Sequence, residues 1–229
     1  MHGLRSVFVI LITRLTLAGG GAAAALTAFL ILSHEVHGGE TQRFDTAVFQ
    51  YFQAKQSVNI HLLMTLVSLL ASGWAILGVS LACVVAFWRK PACRPDALAM
   101  LLAGPGGQGI VSGLKVLFHR TRPEAAFDAL GYSFPSGHSF AAVTLYGMLA
   151  VWLTRAVPAR RAWVWGVTLV LILLIGFSRI YLGVHYASDV AAGYTAGLPW
   201  LWGCCALAGY AFRERGQSRE PDERKRETQ

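Results

Sequence analysis

The chain has 229 residues, 55% hydrophobic and only 14% charged, with a mean hydropathy of +0.48. A soluble domain is about 25% charged, so this composition lacks the polar surface to cover a water-soluble globule. The net charge of +8 comes from 20 Lys+Arg against 12 Asp+Glu, but the basic residues form short clusters between apolar runs, the footprint of membrane topology and not of a nucleic-acid face.

Crossing a bilayer takes about 20 apolar residues. The first apolar stretch, Leu4–Ser33, is broken by Arg14, and its second part, Leu15–Ser33, is long enough to span. A cleaved leader with Arg5 in its basic region is the rival reading, and Arg14 within the apolar region argues against it. Further spans are expected at His61–Trp88, Ala97–Phe118, His138–Leu153, Trp163–Phe177 and Val190–Phe212. The expected fold is all-α, a polytopic membrane domain of six transmembrane helices over residues 1–212. A charged tail over 213–229 has almost no apolar content and is expected to be disordered.

Six spans place both termini on one side. The basic loops Arg89–Arg94 and Arg155–Arg161 and the basic tail share that side, which the positive-inside rule makes cytoplasmic. The loops near 34–60, 119–137 and 178–189 are then exoplasmic, and two of them carry arginines against the rule, which calls for a functional reason. The compact size and short loops point to a bacterial inner membrane, with the site on its periplasmic side.

Several features read as structural. Cys83, Cys93, Cys204 and Cys205 lack zinc-ligand spacing and are taken as small core residues. Gly104–Gly109 matches G-x-G-x-x-G literally, but lies in an apolar span with no preceding strand, so a dinucleotide site is rejected. Gly109 and Gly113 fit small-x-x-x-small helix packing, and Pro105 is expected to kink its span. Trp163, Trp165, Trp200 and Trp202 read as an interfacial belt, and His61 as interfacial. The amphipathic segment Phe44–Phe52 is expected to lie on the exoplasmic surface beside a lateral path for lipid.

Three segments at expected exoplasmic span ends carry chemistry. They are Lys115 through Arg122-Pro123, Pro135-Ser136-Gly137-His138, and Ser178-Arg179 through His185 to Asp189. Lys115, Arg122 and Arg179 bring three cations to the membrane surface, where unpaired charge is costly and so marks function. Ser136 and Gly137 open a helix whose free N–H groups favour an anion, and Gly137 admits a close phosphate oxygen. His185 and Asp189, four apart, would share a helical face. The carboxylate would fix the imidazole tautomer and leave the other nitrogen to attack phosphorus. His138 is then the general acid for the leaving oxygen. No acidic cluster suited to Mg²⁺ accompanies these residues, so metal-independent chemistry with no cofactor is expected.

The segments resemble the three signature motifs of the type 2 phosphatidic acid phosphatase superfamily: Lys-x6-Arg-Pro, Pro-Ser-Gly-His and Ser-Arg-x5-His-x3-Asp. The match holds at every defining position across about 75 of the 229 residues. The resemblance implies phosphate binding by Lys115, Arg122, Ser136, Gly137 and Arg179. It implies His138 as acid, His185 as nucleophile and Asp189 as its orienter. It also implies a membrane hydrolase acting on phosphatidic acid, phosphatidylglycerophosphate or polyprenyl diphosphates such as undecaprenyl diphosphate. A lipid phosphotransferase using the same histidine is the alternative among membrane enzymes, and the related soluble vanadate haloperoxidases are expected to be larger chains. A non-catalytic lipid-phosphate binder or transporter would need the cations but not the His185–Asp189 pair with His138. His119 and Arg120 fall between fixed positions and are read either as substrate contacts or as solvated loop.

Overall fold

The computed structural model describes the backbone of residues 2–124 and 131–227, and the side chains of these residues other than 2–18, 92 and 210–227. The described elements are helical: α1 (His2–Gly38), α2 (Gln42–Gln53), α3 (Val58–Leu69), α4 (Gly73–Trp88), α5 (Arg94–Leu101), α6 (Gly107–Phe118), α7 (Gly137–Ala141), α8 (Gly147–Ala156), α9 (Arg161–Tyr181) and α10 (Ala187–Glu227). Among the described residues, four stretches are long and apolar enough to cross a membrane: Gly19–Gly38, Arg94–Phe118, Gly137–Ala156 and Pro158–Tyr181. Counting α3 and α4 as one bent span raises this to five, and α10 is not among them.

The outer faces explain why the bundle needs lipid. Leu62, Leu66, Leu69, Leu77, Leu81 and Val85 of α3 and α4 are exposed, as are Val167, Val170, Leu173 and Leu174 of α9. Such contiguous apolar surface is stable only against hydrocarbon. Inside, one core joins Ile76, Met100, Ala103, Leu145, Met148, Ile175 and Cys204. A second core, Phe29, Val111, Phe134, Phe140, Ala192 and Ala196, lies next to the motif segments. Phe134 is fully buried there, its ring 6.1 Å from Phe29 and 5.0 Å from Phe118, and so anchors the strand of chain entering Pro135-Ser136. α10 packs along α1, α5 and α7, while α3 lies on α9.

Several expectations need correcting. The span set at His61–Trp88 is two helices bent by 41°, because Ser72 breaks the chain and caps α4 by accepting from the Ala75 amide at 3.3 Å. Pro105 lies in a π-turn over Leu102–Gly106, and both features are recognised causes of helix bending. The Trp200 indole donates to the Leu102 carbonyl in that turn at 2.9 Å. Gly109 and Gly113 have nothing within 4 Å of a would-be Cβ, so they mediate no close packing. Gly193 and Gly197 of α10, at the same spacing, do so. A Cβ at Gly193 would sit 2.6 Å from the Ser136 carbonyl, and one at Gly197 3.0 Å from Val143 Cβ. The backbone of α10 is helical to Glu227. Arg, Glu and Lys are good helix formers. The side chains of Arg5, Arg14 and the tail lie outside the described residues.

Candidate active site

The three motif segments converge on the ends of α6, α7, α9 and α10. α6 ends where His119 adopts a left-handed conformation (φ 49°). One turn before, Lys115 donates from Nζ to the Tyr132 carbonyl at 2.6 Å. Arg122 donates from Nη1 to the Val184 carbonyl at 3.0 Å and from Nε to the Gly131 carbonyl at 3.1 Å. The same Nη1 lies 3.4 Å from His185 Nε2. Arg179, in the last turn of α9, donates from Nη1 to Ser68 Oγ of α3, and its Nε is a buried donor with no partner.

Ser136 is fully buried and caps α7, its hydroxyl accepting from the Ser139 amide. Its own amide donates to the Asp189 carbonyl at 3.0 Å, which ties the start of α7 to the start of α10. That amide is therefore committed, and Gly137 and His138 carry the amides of the first helical turn, which have no intrahelical acceptor. The charges of Arg179, Lys115 and Arg122 all reach His138, and His185 lies close to it as well. Every sequence-predicted site residue thus belongs to one cluster.

His185 and Asp189 meet by a different route from the one their spacing suggests. His185 is not helical. It sits in the turn before α10, reversed by Gly183 at φ +68°. Asp189 is in the first turn of α10 and reaches back to accept the Tyr186 amide at 2.9 Å, the second half of a capping box. The same Oδ2 lies 3.5 Å from His185 Nδ1.

Ser133 stands between them and was not singled out in the sequence. Its hydroxyl donates to Asp189 Oδ2 and lies 3.3 Å from His185 Nδ1. A hydroxyl has one proton. With that proton given to the carboxylate, Ser133 can only accept from Nδ1–H, which leaves the lone pair on Nε2, the nitrogen beside Arg122. Burial pushes the His185 imidazole down to about 4, reinforced by Lys115 and Arg179 and opposed by Asp189, so it is neutral at pH 7.

Arg120 is no solvated loop residue. It donates to Asp189 Oδ1 at 2.6 Å, to Ser188 Oγ at 2.7 Å and to Asp45 Oδ2 of α2 at 2.7 Å, with its guanidinium 4.5 Å from the Tyr186 ring centroid. Burial works against its charge, but Asp189 and Asp45 outweigh that and hold the guanidinium above its ordinary value. Among the described residues no group of three or more His, Cys, Asp and Glu is arranged to hold a metal ion.

The family model described as the PAP2 superfamily matches residues 96–213. The chain is 31% identical over 177 residues to phosphatidylglycerophosphatase B of Bacillus subtilis (strain 168), spanning 74% of this chain and 86% of that one. It is 36% identical over 66 residues, 29% of each chain, to undecaprenyl-diphosphatase of Sulfolobus acidocaldarius. Its fold is similar to the crystal structure of a transmembrane PAP2 type phosphatidylglycerolphosphate phosphatase from Bacillus subtilis. The TM-score is 0.76 and the identity 26%, over 82% of this chain and 96% of that one. LpxE of Aquifex aeolicus shares the fold at a TM-score of 0.52 and 23% identity, over 72% of this chain and 94% of that one. The matched segment encloses all three motifs, and the chain belongs to the PAP2 superfamily as an integral membrane lipid phosphatase.

Proposed function

We propose that this phosphatase hydrolyses the phosphomonoester of phosphatidylglycerophosphate through a phosphohistidine intermediate on His185. The observation that carries the mechanism is the division of the imidazole: Nδ1 is held by Ser133 beside Asp189, and Nε2 is left with its lone pair next to a cation. Nε2 attacks phosphorus in line, and the P–O bond to the lipid breaks as His138 protonates the leaving alkoxide. Water, deprotonated by His138, then attacks the phosphohistidine. The N–P bond breaks and inorganic phosphate leaves with neutral His185 restored. Lys115, Arg122 and Arg179 stabilise charge on the equatorial oxygens, with the amides of Gly137 and His138. The unpartnered buried Nε of Arg179 is a donor that a phosphate oxygen would satisfy. The phosphate dianion itself favours the protonated form of His138 that the first step needs.

The substrate class rests on the similarity to phosphatidylglycerophosphatase B. The membrane arrangement is six spans, with α10 as the sixth, both termini cytoplasmic and the site periplasmic. Its support is that the basic loops lie together away from the motif segments: Arg155 at the end of α8 pairs with Asp96 at the start of α5 at 2.9 Å.

Phosphate release in detergent micelles with EDTA tests the reading, with phosphatidylglycerophosphate, phosphatidic acid, undecaprenyl diphosphate and a soluble sugar phosphate compared. Fastest turnover of phosphatidylglycerophosphate, lost in His185→Ala with lipid binding retained, is expected. Preference for the diphosphate would overturn the substrate, and turnover by His185→Ala the mechanism.

A further inference from the structure

Asp45 and Arg120 lie outside all three motifs, yet they are built into the site. Asp45 and Asp189 are both fully buried, and Arg120 bridges them with one N–H each at 2.7 and 2.6 Å. Asp45 also accepts the Ser188 amide at 3.0 Å and the Ser188 hydroxyl at 2.5 Å, so it grips the first turn of α10 by backbone and side chain. The two oxygens of Asp189 are thereby divided. Oδ1 goes to Arg120, and Oδ2 goes to Ser133, the Tyr186 amide and His185.

We propose that Asp45 and Arg120 form a positioning relay that fixes the rotation of the Asp189 carboxylate and sets how much negative charge it presents to His185. The proposal rests on the reading of His185 and Asp189 as nucleophile and orienter. Two buried carboxylates share one guanidinium, so one negative charge is left over, and His185 faces it. Neutralising Asp45 would give Arg120 wholly to Asp189 and withdraw that charge. Neutralising Arg120 would leave two uncompensated carboxylates. The two changes therefore push the protonation of His185 in opposite directions. A network that served only to pin α2 onto α10 would not do this.

The charged and titratable groups around His185 are Lys115 from α6, His138 from α7, Arg179 from α9 and Asp189 from α10. Arg120 and Arg122 join them from the loop after α6, and Asp45 acts from α2 through Arg120. Only Asp45 and Arg120 can be changed without touching a proposed phosphate ligand or reacting group.

The test is kcat, KM and the pH profile of kcat/KM for full-length protein turning over phosphatidylglycerophosphate in micelles, with thermal melting to confirm folding. Asp45→Asn is expected to lower kcat about tenfold with little change in KM, and to move the acidic limb down by about half to one pH unit. Arg120→Gln should also lower kcat but move the limb up. Arg120→Lys, which keeps the charge, should leave the limb in place and recover part of kcat. Limbs that stay fixed or move together in Asp45→Asn and Arg120→Gln would overturn the relay, as would unchanged kcat. Asp45→Asn is isosteric and decides by the sign of its shift if Arg120→Gln does not fold. Turnover by His185→Ala would instead overturn the underlying mechanism, whatever the relay variants do.

Discussion

Gly193→Ala isolates the joint on which the site depends. The two halves of the site ride on different helices, His138 at the start of α7 and Asp189 at the start of α10, and they are tied by the Ser136 amide donating to the Asp189 carbonyl at 3.0 Å. One turn along α10, a Cβ at Gly193 would lie 2.6 Å from the Ser136 carbonyl, 2.8 Å from Ser139 Cβ and 3.1 Å from the Phe140 amide nitrogen. Two of these neighbours are backbone and cannot swing aside. Restoring ordinary contact, which begins at 3.4 Å, opens the joint by about 0.8 Å. Overpacking of this kind costs about 1–3 kcal/mol of stability. A displacement approaching 1 Å between reacting groups costs up to about 100-fold in rate. The expected result is a kcat lowered about 10- to 100-fold, with a lowered melting temperature. Gly109→Ala and Gly113→Ala are the controls: nothing lies within 4 Å of either position, so both should keep full activity and melt no earlier. Gly193→Ala with wild-type kcat and melting temperature would refute the claim that this contact sets the register of the site.

Further outcomes follow from the same geometry. His185 is held below its ordinary value of 6.5, at about 4. Between those values the unfolded chain binds a proton that the folded chain does not, so stability should fall as pH drops through this window. The slope of melting temperature against pH should be smaller in His185→Gln. Activity should persist at pH 5 and vanish as Nε2 protonates near pH 4, seen in the acidic limb of kcat/KM. Ser133→Ala removes the group joining Asp189 to Nδ1 and should lower kcat about tenfold with KM little changed. Arg155→Ala breaks a pair whose arginine side chain is 51% exposed. It should cost at most about 1 kcal/mol by thermal melting and leave phosphate release unchanged.

The residues that gather phosphate and histidine chemistry were legible because each motif carries its groups at fixed local spacing: Lys115 with Arg122, Ser136 with His138, Arg179 with His185 and Asp189. The partners that hold them were not, because their contacts span long stretches of chain. Asp45 reaches Arg120 across 75 residues and Ser188 across 143, and an aspartate in an amphipathic helix gives no local sign of being buried. Ser133 stood two residues ahead of a motif proline with nothing to mark it. Hydropathy located the spans but did not detect the break at Ser72, since leucines continue on both sides of it. The small-residue pattern was sound physics attached to the wrong helix: α6 and α10 both carry it, and only the packed structure brings Gly193 rather than Gly109 against a neighbour.

The central claim is that His185 becomes covalently phosphorylated. Rapid acid-free quenching of the enzyme during turnover of phosphate-labelled phosphatidylglycerophosphate tests it directly, because phosphohistidine is acid-labile and base-stable. The expected result is a labelled peptide containing His185, absent from His185→Asn. Label on His138, or turnover by His185→Asn, would contradict it.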